Sequence, residues 1–511
     1  MSFSTASAPA AGQAAGVAVA APPAGPVIVW FRNDLRLADN PALTHAAAAG
    51  GPVLAVYVHD DASAGLRPRG GASRWWLAGS LEALSAGLEA IGGRLHVFRG
   101  AASNIIPRLA EAVGASAVVW NRRYAAAERT LDTAIKAALK AQGVHAASFN
   151  ANLLNEPWEV RSKAGTPIKV FTPFWRAARE RGEPPAPSPA PKALRALSLP
   201  GVVGIDPVSI GSLDLRPRRP DWAREIAAIW TPGEAAARAA LGRFLEVSAK
   251  GYGDNRNRPD KVSTSRLSPH LAFGEVSPRQ VWHAARAAQE SGLTNARAYD
   301  IDKFLSEVGW REFSYHLLDQ FPALANANFQ AKFEAFPWRD DPAALEAWRR
   351  GKTGYPIVDA GMRELWRTGW MHNRVRMIAA SFLVKHLLID WRKGEEWFWD
   401  TLLDADPANN AASWQWVAGS GADAAPYFRI FAPVLQGEKF DPNGDYVRRY
   451  VPEIAKLPND VIHKPWMAPH PVLARAGIVL GRDYPQPIVI HEAARARALA
   501  AFKSISAEAA E

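Results

Sequence analysis

Three short stretches carry most of the residues that can do chemistry. In MHNRVRM, residues 371–377, an i, i+4 spacing sets Asn373 and Met377 on one helical face, and Arg374 and Arg376 add charge to an otherwise apolar segment. Buried guanidinium groups need partners, and Asp404 and Asp406 in DADPANNAASWQW, residues 404–416, are the natural ones. A purely structural ion-pair network would satisfy the same pattern. In SEVGWREF, residues 306–313, Glu307, Trp310 and Arg311 share a face at i, i+3 and i+4, so a carboxylate, an indole and a guanidinium project together. An indole beside an arginine can stack on a nucleobase while the cation meets a phosphate, although an aromatic at helical spacing is also what a core needs.

A fourth stretch, TSRLSP at residues 264–269, clusters hydroxyls and one arginine before a proline suited to the first position of a helix. Hydroxyls, free amides and a helix N-terminus together make a phosphate cradle; plain helix capping is the simpler reading. The chain also holds 20 Trp and no Cys. Indole gives up an electron readily to a strong oxidant, so a row of tryptophans can relay electrons between surface and interior. The lack of cysteine excludes disulfides, thiolate zinc sites and cysteine-ligated iron-sulfur clusters, and neither HExxH nor a Ser-His-Asp pattern is present.

These residues need a scaffold. Short apolar runs at 27–31, 53–58, 95–98 and 117–120 alternate with alanine- and leucine-rich helical stretches, which predicts a doubly wound α/β domain over residues 26–155. Residues 156–220, rich in Pro, Arg and Ser toward their end, read as a linker over the surface. Residues 221–495 read as nearly all helical, with long amphipathic segments such as DIDKFLSEVGWREFSYHLLDQF and TGWMHNRVRMIAASFLVKHLLIDW. Residues 1–25 are Ala-, Pro-, Gly- and Ser-rich without Lys or Arg, which predicts a disordered tail and no targeting signal; residues 496–511 are expected to form a second tail. No apolar run is long enough for a membrane span, so a cytoplasmic location and a monomer are expected. A formal charge of +10 suits attraction to a polyanion without establishing it.

Taken together, VWFRNDLRLADNPAL (29–43), TSRLSP, WREF, GKTGYPIVDAGMRELWRTGWMHNRVRM (351–377) and the stretch 404–431 resemble the photolyase and cryptochrome family, leaning to the bacterial class I photolyases of cyclobutane pyrimidine dimers. The resemblance implies an α/β domain joined by a long linker to a helical domain holding FAD, reduced and anionic when active. Matched residue by residue, Tyr252 and the run Thr264, Ser265, Arg266, Leu267 and Ser268 fall on the FAD-binding loop. Arg376 and Asp404 match an ion pair across the flavin, Asp406 lies at the ribityl side, Asn373 borders the cofactor, and Asn410 matches the residue facing flavin N5. An amide there favours the reduced anion, where plant-type cryptochromes place an aspartate. Trp414, Trp391 and Trp348 match a three-member electron chain from flavin to surface.

For the substrate, Glu307, Trp310, Arg311, Asn373, Arg374, Met377 and Trp416 match the pocket for a dimer flipped out of UV-damaged DNA. The alternatives within the resemblance are a cryptochrome-type photoreceptor, against which Asn410, Met377 and the short C-terminal segment count, and a photolyase for (6-4) photoproducts. Of the latter, the iron-sulfur type needs cysteines, and the animal type carries a second pocket histidine where MHNRVRM has Asn and Met. A flavoprotein that binds DNA without catalysis leaves Glu307 and the tryptophans idle. Glu128 matches a glutamate that contacts methenyltetrahydrofolate, while the adjacent Ala127 stands where asparagine is usual. A folate antenna is thus implied, with a deazaflavin, a second flavin or no antenna as the alternatives. No metal is expected.

Overall fold

The computed structural model describes residues 24–199, 201, 204–424 and 429–507. All but the last two residues of the expected N-terminal tail lie outside them. Five strands, β1 (Val27–Phe31), β2 (Val53–His59), β3 (Leu95–Arg99), β4 (Ala117–Asn121) and β5 (His145–Phe149), form a parallel sheet in the order β3-β2-β1-β4-β5. Every residue of β1 is buried, because helices cover both faces; Val27, Val29 and Phe31 enter one core, and Ile28 and Trp30 the other. Four strands fall on the predicted runs. The fifth, HAASF, is an edge strand with a single buried residue and no β-branched side chain.

Residues 156–220 hold more structure than a linker. They contain the helix Phe171–Glu180, and Ala196 bridges Val53 while Leu213 and Leu215 are buried in the sheet domain's core. From Arg224 on, the regular elements among the described residues are all helices, joined by loops. The long amphipathic segment 368–391 is broken into several pieces. The helix Pro356–Thr368 ends on Gly369 at φ 66°, Asn373–Ser381 runs into a π-helical turn at Phe382–His386, and Leu388 takes φ 54° before Trp391–Thr401 begins. The expected C-terminal tail is largely the helix His491–Ala507, whose Ala498, Ala501 and Ile505 pack against Phe333, Phe336 and Leu388. No helix among the described residues is long and apolar enough to cross a membrane.

The two domains share buried polar contacts. Glu275, fully buried, accepts from Trp76 Nε1 at 3.0 Å and from the Gly233 amide at 2.7 Å, and meets His270 Nδ1 at 2.5 Å. Arg36 donates to the Gly274 carbonyl at 2.8 Å and the Ala151 carbonyl at 2.7 Å. Gly274 sits at φ +65°, and a Cβ there would lie 2.0 Å from the Asn33 carbonyl oxygen, so the close approach of the domains requires glycine. Of the charges in VWFRNDLRLADNPAL, Arg36 and Asp39 thus serve the domain boundary, Asp39 by pairing with Arg279 at 2.9 Å.

Candidate active site

The helical domain encloses a cavity of about 520 Å³, within the range typical of cofactor sites. Helices Ala298–Gln320, Asn373–Ser381 and Asn409–Ala418 supply most of its wall. The first brings Glu307, Trp310 and Arg311, the second Asn373, Arg374, Arg376 and Met377, and the third Asn410, Trp414 and Trp416. Asp404 and Asp406 enter from the turn before the third helix. Residues 109 positions apart in sequence therefore face one space, as their helical spacings predict.

One ion pair spans the floor. Arg376 donates to both oxygens of Asp404 at 3.1 and 2.8 Å, and the Asp404 side chain is only 4% exposed. Asp406 does not pair with Arg374, contrary to one expectation; it accepts from Tyr315 Oη at 2.5 Å and from the Ala408 and Asn409 amides, so it holds the start of the next helix. Arg374 is instead held by Asn257 Oδ1 at 2.9 Å and lies over Phe440. Glu307 pairs with Arg256, a cavity residue that sequence reasoning missed. Burial raises the Glu307 pKa, and Arg256 opposes that rise.

Several cations face inward. His372, at the start of the helix Asn373–Ser381, is pushed down to about 3, first by burial and then by Arg374, Arg376, Arg266 and Arg256. Its Nδ1 accepts from the Arg374 amide at 3.2 Å, so the neutral ring caps the helix. These neighbours disfavour a further positive charge at His372.

The TSRLSP segment contributes in part. Tyr252, Ser265, Leu267 and Ser268 line the cavity. Arg266 turns away with φ 52° and lies over Trp370 at 4.9 Å, and Thr264 is not among the lining residues. The proline occupies the second position of a five-residue helix, too short for a strong N-terminal anion site. On the far wall Trp310 stacks on Phe171 at 3.7 Å and 8°, so the connecting segment touches the site. Arg311 reaches the Asn152 carbonyl at 2.6 Å, an anchor on the sheet side.

The tryptophans divide. Trp414 lies 4.9 Å from Phe398 and 6.1 Å from Trp348, and its buried Nε1 has no partner. A Cβ on Gly394 would stand 2.2 Å from Trp414 Cη2, so glycine admits the indole against the helix that carries Trp391 one turn earlier. Trp348 and Trp391 are both 0% exposed, and Trp348 therefore does not bring an electron chain to the surface as expected. Two further indoles offer exits. Trp338 is half-buried, and the neighbouring Arg339 amide bonds at 2.7 Å to the carbonyl of Leu388, three residues before Trp391; Trp366, 56% exposed, stacks on Trp397 at 5.9 Å.

The donor set fits a flavin dinucleotide. Leu267, Phe304, Val308 and Leu402 give apolar walls, Arg376 and Asp404 a polar pair, and Trp414 an unsatisfied N–H inside. Comparison with known proteins agrees. Residues 304–504 match the family described as the FAD binding domain of DNA photolyase, and residues 27–192 match DNA photolyase. The chain belongs to the DNA photolyase family. A deoxyribodipyrimidine photo-lyase of Agrobacterium fabrum is 54% identical over 94% of this chain and 98% of its own length. Cryptochrome-1 of Arabidopsis thaliana is 41% identical over 92% of this chain and 69% of its own. A solved bacterial class III photolyase from Agrobacterium tumefaciens matches at TM-score 0.90 and 52% identity, covering 96% of this chain and all of that one.

Proposed function

We propose that this chain is a light-driven photolyase that splits cyclobutane pyrimidine dimers in UV-damaged DNA, and that it is of the class III type and not the class I type to which its motifs lean. The observation that carries the reading is one cavity in which Glu307, Trp310, Asn373, Arg374, Met377 and Trp416 stand together with Arg376, Asp404 and Asn410. Identity of 52% to a class III photolyase supports the class.

Tyr252, Ser265, Leu267, Arg376, Asp404, Asp406 and Asn410 would hold FAD. When bound and reduced, FAD supplies a light-driven electron to the lesion and receives it back, with no net redox change. The protein's part is to position and to shield. Trp416, Met377 and Trp310 offer apolar surface to a dinucleotide taken out of the stack, which costs least for a damaged pair. Glu307 stands to hydrogen-bond a base edge, held in place by Arg256. Arg374 and other cations at the rim grip flanking phosphates, so binding weakens with salt. Trp414 leads toward Trp391 and Trp348, and we assign the solvent-side end of the electron chain to Trp338 or to the Trp397 and Trp366 pair.

The antenna in this reading is methenyltetrahydrofolate beside Glu128, whose carboxylate accepts from the Ala125 amide at 3.2 Å and pairs with Arg123 at 3.4 Å. Extraction and absorption spectroscopy of the chromophores separates folate from a deazaflavin.

The functional test mixes the reduced protein with an oligonucleotide carrying one thymine dimer. Intact thymines return under blue light and not in the dark. A flavin that photoreduces while the dimer persists would replace repair with the cryptochrome-type reading.

A further inference from the structure

Asn410 meets the cavity through only one end of its amide. Its Nδ2 donates to the Glu395 carbonyl oxygen at 3.0 Å and to Glu395 Oε1 at 2.8 Å. A backbone carbonyl only accepts, so these bonds identify the NH₂ group and leave Oδ1 on the other branch. Glu395 lies on the helix Trp391–Thr401, and its side chain is only 6% exposed.

What holds Glu395 comes from the other domain. Arg67, in the loop between β2 and the helix Gly71–Ala90, donates Nη1 to Oε1 at 2.7 Å and Nη2 to Oε2 at 2.9 Å. The loop is fixed on the same helix at three further points. Arg67 lies 4.1 Å over Trp399, Trp399 Nε1 donates to the Pro68 carbonyl at 2.8 Å, and the Gly71 amide donates to Asp400 Oδ1 at 2.7 Å. A Cβ on Gly70 would stand 2.2 Å from the Trp399 carbonyl oxygen.

We infer that Arg67 is a positioning residue of the flavin site: acting across the domain boundary through Glu395, it sets which end of the Asn410 amide faces the cofactor. This rests on the FAD reading above. A carboxylate paired on both oxygens is purely an acceptor and can only bind the NH₂ end of Asn410. Without Arg67 the Glu395 side chain is free to leave Asn410, and the NH₂ end is then held by the Glu395 carbonyl alone, so the amide turns more easily. With FAD bound, an Oδ1 facing N5 would suit the N–H that the reduced ring carries there, whereas an NH₂ would suit the acceptor nitrogen of the oxidised ring. Arg67 thereby biases the bound flavin toward its reduced form.

The experiment measures the midpoint potential of the bound flavin in the full chain for Arg67→Ala, Arg67→Lys and Asp400→Asn, each also in an Asn410→Ala background. Asp400→Asn weakens a contact at the end of the same loop, exchanging a charged acceptor for a neutral one, without touching Glu395. Arg67→Ala should lower the reduced-to-oxidised ratio at a fixed potential by roughly fivefold, about the worth of one hydrogen bond. Arg67→Lys should recover part of that, Asp400→Asn should show no change, and Arg67→Ala should have no effect once Asn410 is alanine. Equal shifts from Arg67→Ala and Asp400→Asn would reduce Arg67 to a docking contact. A shift that persists in the Asn410→Ala background would show direct action of the charge and overturn the relay. Wild-type protein purified without flavin would overturn the FAD reading itself, a result distinct from flavin-bound protein indifferent to Arg67.

Discussion

At the strand ends of the sheet, Arg32 is closed in by Asp132 at 2.6 Å, the Asn121 carbonyl and the face of Trp30 at 4.3 Å. Around the helical cavity, Arg376, Arg374 and Arg256 are also paired, yet each lines open space. Both regions bury guanidinium among indoles. In the sheet domain the partners enclose the charge, which is the pattern of a structural network; in the helical domain the same groups leave one face toward a volume the protein does not fill. A doubly wound sheet usually binds its ligand at the strand ends, but here Trp30, Trp120 and Arg32 occupy part of that crevice themselves.

The comparison is tested most strongly at the ion pairs. Arg376→Ala leaves Asp404 buried without a cation, and should cost about 3–5 kcal/mol in urea unfolding together with most of the bound flavin, read from the ratio of flavin to protein absorbance. Wild-type flavin content in that variant would remove the functional distinction between the two networks. Asp132→Ala in the sheet domain strands Arg32 in the same way and should cost about 3 kcal/mol. Light-driven repair per folded molecule, excited at flavin wavelengths, should then stay within about twofold of wild type, roughly 0.4 kcal/mol.

Smaller changes sharpen the picture around the cavity. Gly394→Ala pushes a methyl group into Trp414 and to 2.6 Å from Leu383 Cδ2, so we expect the upper end of the ~1–3 kcal/mol range for overpacking and slower flavin photoreduction by transient absorption. His372 gives a pH signature. Its folded pKa of about 3 lies below the usual value of 6.5, so only the unfolded chain takes up the proton as pH falls through 6.5, and stability drops toward pH 3. Between pH 7 and pH 5 this amounts to about 2 kcal/mol. Glu312, pushed up to about 7 by burial, acts in the opposite sense over much of that range. Comparing unfolding of the wild type with His372→Asn, whose side chain can still cap the helix, isolates the histidine, and equal pH slopes would contradict the assignment.

Local pattern made much of this readable. Runs such as VIVWF and AVVW announce strands because a parallel strand covered on both faces needs apolar residues throughout. The i, i+3 and i+4 spacings of Glu307, Trp310, Arg311, Asn373 and Met377 survive into the cavity because helices preserve them. Edge strand HAASF escaped notice because little of it is buried. The final helix escaped because its alanines carry almost no periodic signal. Arg256, Glu395 and Arg67 were missed for a different reason: Arg67 and Glu395 stand 328 positions apart, and no local spacing encodes such a pair. The fate of Trp348 likewise depends on which helices pack over it, since family matching places a residue in the chain and leaves its distance from solvent undetermined.

The connecting segment carries a lesson for anyone recombining relatives of this chain. Phe171 presses flat on Trp310, and Phe174 packs against Phe313 and His316, so two lining residues of the cavity, Trp310 and Phe313, are backed by residues that sequence reading assigns to neither domain. A chimaera joined after Glu180 would take Phe171 from one parent and Trp310 from the other, whereas a junction between the last strand and Phe171 keeps the stacked pair together. The workable exchange unit for substrate selectivity therefore begins before Phe171, inside the stretch that looks like spacer.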